Sequence, residues 1–267
     1  MASVASATRS RIGRGIRSAL LELVVPATII GAWWVFSARS TSLYFPPLST
    51  IVTSLRHVWL FSHFASDAVP SLEHLAAGFG IATAVGVAGG VLLGLTPILA
   101  DAVAPILEFL RAVPAVAMLP AALLLFGIGS TMQIAVIVFG TIWPILLNSA
   151  VGVRSVDPLV ADVARSYRIN RLNRLFRIIL PAASPQIVAG MRTALSIGIT
   201  MIVFSEMMGS TNGIGYQILA AQRSFAVPDM WAGMILLGIL GYLLNVAFRA
   251  FEHVALRWHR GLRESTR

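Results

Sequence analysis

Long uncharged stretches dominate the chain. Leu75–Ala100 contains no Asp, Glu, Lys or Arg, and Ala112–Val153 is free of them for 42 residues. A helix crosses the hydrocarbon core of a bilayer with about 20 apolar residues. The first stretch therefore predicts one span, and the second predicts two. The turn-forming Gly127-Ile128-Gly129-Ser130 divides the second into 112–127 and 131–152. Further spans are predicted at Leu20–Ala38, Ile187–Glu206 and Met230–Phe248. The pattern predicts an all-α, polytopic membrane protein with about six transmembrane helices. They form one domain over residues 20–267, behind a basic segment of residues 1–19.

One polar connection is too long to be a simple turn. Arg154–Pro185 carries six Arg and breaks the apolar pattern. Within it Asp157 is a good N-cap, and Pro158 suits the first helical position, where its missing N–H is not needed. A helix to about Tyr167 follows, with Leu159, Val163 and Tyr167 on one apolar stripe. Asn170 can cap a second helix carrying Leu172, Leu175, Phe176 and Ile179, with Pro181 and Pro185 predicted to stop it before the next span. Two readings of this pair stay open. It lies on anionic lipid, or it docks into a groove on a partner protein.

Composition narrows the class. Hydrophobic residues make up 57% of the chain and charged residues 12%, against about 25% charged in soluble domains. The formal charge is +9, and all 20 basic residues are Arg. With so much apolar sequence, that charge points to a membrane surface rather than to nucleic acid. The absence of Cys excludes disulfides and thiol catalysis. The absence of Lys excludes a Walker A phosphate loop, so any dependence on ATP must come from another chain. The five His have no metal-ligand spacing, and no Ser/His/Asp set falls at a common depth, so neither a metal site nor an intramembrane hydrolase is expected.

Arg placement predicts topology. With the N-terminus inside, sixteen Arg fall on cytoplasmic segments, and only Arg39, Arg56 and Arg223 fall outside. Both termini are expected in the cytoplasm. An Arg-rich start before an apolar run also fits a signal peptide, but the run is followed by more spans and by no convincing small-x-small cleavage site. Tyr44-Phe45-Pro46-Pro47, with Trp59 and Phe61, suits an external interfacial segment.

Within the spans, an acid marks function by default. Glu206 ends the fifth span. It either lies at the outer interface, solvated or paired with Arg223, or shapes the translocation path together with Met201 and Ser205 on the same helix. Pro114 and Pro120 are each expected to remove a helix hydrogen bond and kink the third span. Gly78, Gly86, Gly90 and Gly94 share one helix face and predict close packing. Gln133, Thr141 and Asn148 are expected to make interhelical hydrogen bonds. Gly213-Ile214-Gly215 reads as a hinge or re-entrant turn.

The loop also carries a resemblance. Asp162-Val163-Ala164, then three residues, Arg168, nine residues, and Ile178-x-Leu180-Pro181 is similar to the EAA loop of ABC importer permeases, with every spacing kept. Asp replaces Glu, and Arg replaces the loop's Gly, which argues against a left-handed turn at that point. Arg111-Ala-Val-Pro-Ala-Val-Ala-Met-Leu-Pro120, Leu125–Gly129, Arg165-Ser166-Tyr167, Ser205–Met207 and Gly213–Tyr216 resemble the sulfonate, taurine and nitrate branch. The resemblance implies a type I importer permease fold in the bacterial inner membrane. It implies a pore formed with a second copy, two cytoplasmic ATP-binding subunits that hold the ATP and Mg, and an extracytoplasmic substrate-binding protein. It also implies that the chain itself is no enzyme and has no cofactor. The 157–181 loop would couple to the ATPase through Asp157, Leu159, Asp162, Val163, Ala164, Arg165, Ser166, Tyr167, Arg168, Ile178, Leu180 and Pro181. A stand-alone secondary transporter or channel would need coupling acids in mid-span and broken helices in both halves. Glu206 is one candidate acid, near an end, and no repeat is evident.

Overall fold

The computed structural model describes residues 24–258, except for the side chains of residues 60–62, 161 and 165. The basic segment 1–19, the start of the first predicted span and the tail 259–267 lie outside the described residues. Among the described residues the protein is all-helical. The helices are α1 (Val24–Ser37), α2 (Leu48–Ser54), α3 (His63–Leu95), α4 (Pro97–Ala112), α5 (Leu119–Phe126), α6 (Ser130–Arg154), α7 (Pro158–Ser166), α8 (Arg171–Gly209), α9 (Ile214–Arg223) and α10 (Val227–Ala255). A wide π-type stretch over Leu55–Ala68 carries α2 into α3 without a break.

Four helices, α3, α6, α8 and α10, are long and apolar enough to span a bilayer. The span expected at 112–127 is different. The chain leaves α3 at Thr96, restarts at Pro97 as α4, and breaks again at Val113-Pro114. A short 3-10 turn, Ala115–Met118, then leads into α5, so the apolar segment is bent by 84°. Proline explains the geometry. Pro97 and Pro120 sit in the first turns of α4 and α5, where no amide hydrogen is required. Pro120 therefore starts a helix instead of kinking one. The residue before Pro114 is pushed to extended geometry, with Val113 at ψ 119°.

α3 and α6 run in the same direction and touch along the predicted glycine face. A Cβ on Gly78 would lie 2.6 Å from Ile137 Cγ2, one on Gly90 2.4 Å from the Leu146 carbonyl oxygen, and one on Gly94 2.6 Å from Val153 Cβ. Only hydrogen fits there, and it lets the backbones approach closely, which helps because lipid offers helices no hydrophobic drive to associate. Leu75, Ile137, Met201 and Ile202 then close a core between α3, α6 and α8. The interhelical bonds expected of α6 are made only in part. Asn148 Oδ1 accepts from Gln186 Nε2 at 2.8 Å, whereas Thr141 bonds back to Ile137 O of its own helix.

A second core joins α2, α9 and α10, with Leu48, Ile51, Trp59, Ile214, Ile218 and Leu236. Trp59 was expected at an interface, but only 1% of it is exposed, and its Nε1 donates to Asp229 O. Tyr44 and Phe45 are exposed, and Tyr44 O accepts from Trp231 Nε1 at 3.0 Å. The side chain of Phe61 lies outside the described residues.

The two prolines expected to stop a helix before the fifth span do not stop it. α8 runs for 39 residues through both Pro181 and Pro185. The residues just before Pro181, Leu175–Ile179, adopt the wide π turn. A wider turn moves the carbonyls that a proline ring would otherwise strike, and it closes the ladder around the missing donor.

Candidate functional site

Two assemblies stand at opposite ends of α8. At its start lies the loop. Asp157 Oδ1 accepts the N–H of Leu159 at 2.8 Å, and Asn170 Oδ1 accepts that of Asn173 at 2.7 Å, so both predicted caps form. α7 rests on the bundle through Ala164, which is 1% exposed. Its other face presents Leu159, Val163 and Tyr167, exposed by 66%, 48% and 79%. Asp162 and Ser166 lie on the exposed side of α7, and the Ser166 hydroxyl bonds back to Asp162 O. The backbone of Arg165 lies in α7, but its side chain is not among those described. Ile178, Leu180 and Pro181 are half-buried where α8 meets the bundle. An exposed apolar stripe of this kind marks an interaction surface.

Arg168 overturns the expectation drawn from its bulk. Its φ is +52°, so the left-handed turn is made without glycine. The reason is local. The Ile169 N–H reaches back to Ala164 O at 3.0 Å and the Tyr167 N–H to Val163 O, a pattern that closes a helix C-terminus. The Arg168 side chain is exposed. Arg168, Ile169, Asn170, Asn173, Arg177 and Ile178 line a notch of about 430 Å³ beside α7.

At the other end of α8, Glu206 is neither solvated nor paired with Arg223. It is 1% exposed. Its Oε2 accepts the N–H of Gly215 at 2.8 Å, and its Oε1 lies 2.5 Å from Ser71 Oγ. A second carboxylate, Asp67, stands beside it at 2% exposure. Asp67 Oδ1 accepts from Gly213 N at 2.8 Å and from Gln217 Nε2 at 3.3 Å. Its Oδ2 meets Ser66 Oγ at 2.7 Å and His63 Nδ1 at 2.8 Å. Ser71 Oγ accepts the N–H of Ile214 at 3.1 Å. Gly213-Ile214-Gly215 is thus the start of α9, with its first amides and the positive end of its dipole met by buried acids. Gly213 has φ +112°, and a Cβ there would lie 2.4 Å from the Glu206 carboxyl carbon.

Met201 and Ser205 are also buried within the chain, Met201 against Gly140 of α6 and Ser205 against its own helix through Ile202 O. Asp67 and Ser71 were not singled out from the sequence. The available signal was the spacing of His63, Asp67 and Ser71, which puts three polar side chains on one face just before the helix turns wholly apolar.

Residues 80–258, which include α7, all of α8 and Glu206 but not Asp67 or Ser71, match the binding-protein-dependent transport system inner membrane component family. The chain belongs to this family. Among the relatives of this permease is the putative aliphatic sulfonates transport permease protein of Bacillus subtilis, 30% identical over 95% of this chain and 93% of that protein. The taurine transport system permease protein of Escherichia coli is 28% identical over 91% of each. The permease fold is also that of the MetNI methionine ABC transporter in an inward-facing conformation. That match has a TM-score of 0.60 at 20% identity and covers 71% of this chain and 94% of the other. The sulfonate and taurine relatives are the branch that Arg111–Pro120 and Gly213–Tyr216 resemble.

Proposed function

We propose that this permease is the pore subunit of an ATP-driven importer for a small organic or inorganic anion, such as an aliphatic sulfonate, taurine or nitrate. The observation that carries the reading is α7. Its Leu159-Val163-Tyr167 stripe is exposed, and three residues after Arg168 the chain enters the 39-residue helix that carries Glu206 near its far end. A partner that buries the stripe gains about 1.5–3 kcal/mol per large side chain, and it pushes directly on a span. The partner is a cytoplasmic ATP-binding subunit, one for each of two copies of this chain, and it binds the ATP and Mg. The loop from Asp157 to Pro181 forms its seat. A substrate-binding protein delivers the anion at the opposite end. Both termini lie in the cytoplasm of a bacterial cell whose inner membrane supplies the lipid.

ATP binding brings the two ATPase subunits together and favours one pore state over the other by their difference in affinity. Met201, Ser205 and Glu206 act on the path from behind, by fixing the shape of α8. The sulfonate and taurine relatives support the anion class.

Co-expression with candidate ATPases tests the reading. The wild-type chain should co-purify with one of them, and Leu159→Asp and Tyr167→Ala should weaken that complex while the membrane protein remains folded. Full retention of the ATPase by both variants would refute the seat. Uptake without any ATPase would favour a stand-alone transporter.

A further inference from the structure

The importer reading gives Asp67 no task, yet buried acids are costly inside an apolar bundle. Their partners are specific. A helix start is ordinarily capped by the residue just before it. Here three consecutive amides, those of Gly213, Ile214 and Gly215, end on side chains of two different spans. Asp67 and Ser71 come from α3, and Glu206 comes from α8. The turn is shaped for this and nothing larger. Gly213 lies against the Glu206 carboxylate, and a Cβ on Gly215 would lie 2.4 Å from Val203 O. Beyond the turn, Ile214 and Ile218 of α9 pack in one core with Trp59, Ala232 and Leu236, so whatever holds α9 also holds α2 and α10.

We propose that Asp67 and Glu206 are positioning residues for transport. They clamp α9 to α3 and α8, so that this end of the bundle follows α8 as one body when the loop end is displaced. The inference rests on the importer reading.

The geometry separates hydrogen bonding from charge. In Glu206→Gln the side-chain oxygen can accept from Gly215, and its amide can donate to Ser71 Oγ. The Ser71 proton can then turn to Asp67 O, 2.9 Å away. Asp67→Asn keeps an oxygen for Gly213 and Gln217. Alanine at either position loses that residue's own side-chain bonds, while Ser71 Oγ still accepts from Ile214.

The Cys-free chain allows a direct test. Spin labels on A76C of α3 and Q222C of α9, both exposed positions, report the separation of the clamped elements. The measurement uses the full transporter with its ATPase, nucleotide-free and trapped with ATP and vanadate. In the wild-type background, and with E206Q or D67N, the distance should change between states by less than the roughly 2 Å of an ordinary helix shift. With E206A or D67A the distribution should broaden, and ATP hydrolysis should continue without a matched movement of α9. A wild-type distance that changes with nucleotide would overturn the clamp. So would an alanine variant as narrow as wild type, or a glutamine variant as broad as alanine. If the alanine variants fail to assemble, the wild-type and E206Q distances still decide. A wild-type chain that holds no ATPase would instead overturn the assignment as an importer subunit.

Discussion

Replacing Gly90 by Ala should destabilise the protein although it adds a single methyl group to a helix. The new Cβ would stand 2.4 Å from Leu146 O, 2.5 Å from Ser149 Cβ and 3.1 Å from Ala150 N. Two of these atoms are backbone, so no rotamer change relieves the overlap, and α3 and α6 must separate. Overpacking of this kind costs about 1–3 kcal/mol. For a chain of this size each kcal/mol corresponds to a fall in Tm of roughly 2–4 °C. Gly80 is the control. It is in the same helix, and its Cβ would meet nothing within 4 Å, so Gly80→Ala should leave Tm unchanged or raise it, since Ala is the better helix former by about 1 kcal/mol. Gly86→Ala should fall between them, because its closest neighbour is Ile145 Cγ2 at 3.0 Å, a side-chain atom that can yield. The six Trp make intrinsic fluorescence in detergent a suitable thermal assay. Equal midpoints for Gly80→Ala and Gly90→Ala would refute the close-contact account of the α3–α6 interface.

Other outcomes follow from the loop and the helix ends. Arg168→Gly should not lower stability, whereas Arg168→Val, branched at a left-handed position, should cost about 1–2 kcal/mol more; a Val variant as stable as Gly would contradict the backbone assignment. Asn170→Ala removes the cap on Asn173 N–H and should cost about 1 kcal/mol, seen as faster amide exchange over 171–174. Arg192 and Glu252 form an ion pair between α8 and α10 with the Arg about half exposed, so Arg192→Gln should change Tm by the equivalent of at most about 1 kcal/mol.

Much of the fold was legible because membrane helices announce themselves by length and hydropathy. The glycine face on α3 and the caps at Asp157 and Asn170 were legible because each depends on local spacing alone. Three features were not. The 84° bend turns on where Pro114 and Pro120 fall relative to a helix start, and a hydropathy window cannot resolve that. The run of α8 through Pro181 depends on a π turn that has no composition of its own, and at Pro185 the freed Pro181 O is taken by Ser184 Oγ. The burial of Glu206 depends on Asp67 and Ser71, which lie 139 and 135 residues earlier and meet it only through the packing of α3 on α8. The stripe on α7 was read correctly as a stripe. Its exposure could not be read, since the same pattern would serve a buried face.

The unbroken course of α8 has a consequence for insertions and deletions. Thirty-nine residues at 1.5 Å each make a rod of about 58 Å, nearly twice the hydrocarbon thickness of a bilayer. Each residue also advances the helix by about 100°, from 3.6 residues per turn. One inserted residue between Ile187 and Leu195 would therefore rotate Glu206 by about 100° relative to the α7 stripe. It would point the carboxylate away from Gly215 although every side chain is still present. Inserting seven residues would nearly restore the phase but lengthen the rod by about 10 Å. Residue number in this segment is thus constrained as tightly as residue identity, whereas the same insertion between Ser210 and Asn212 meets no such clock.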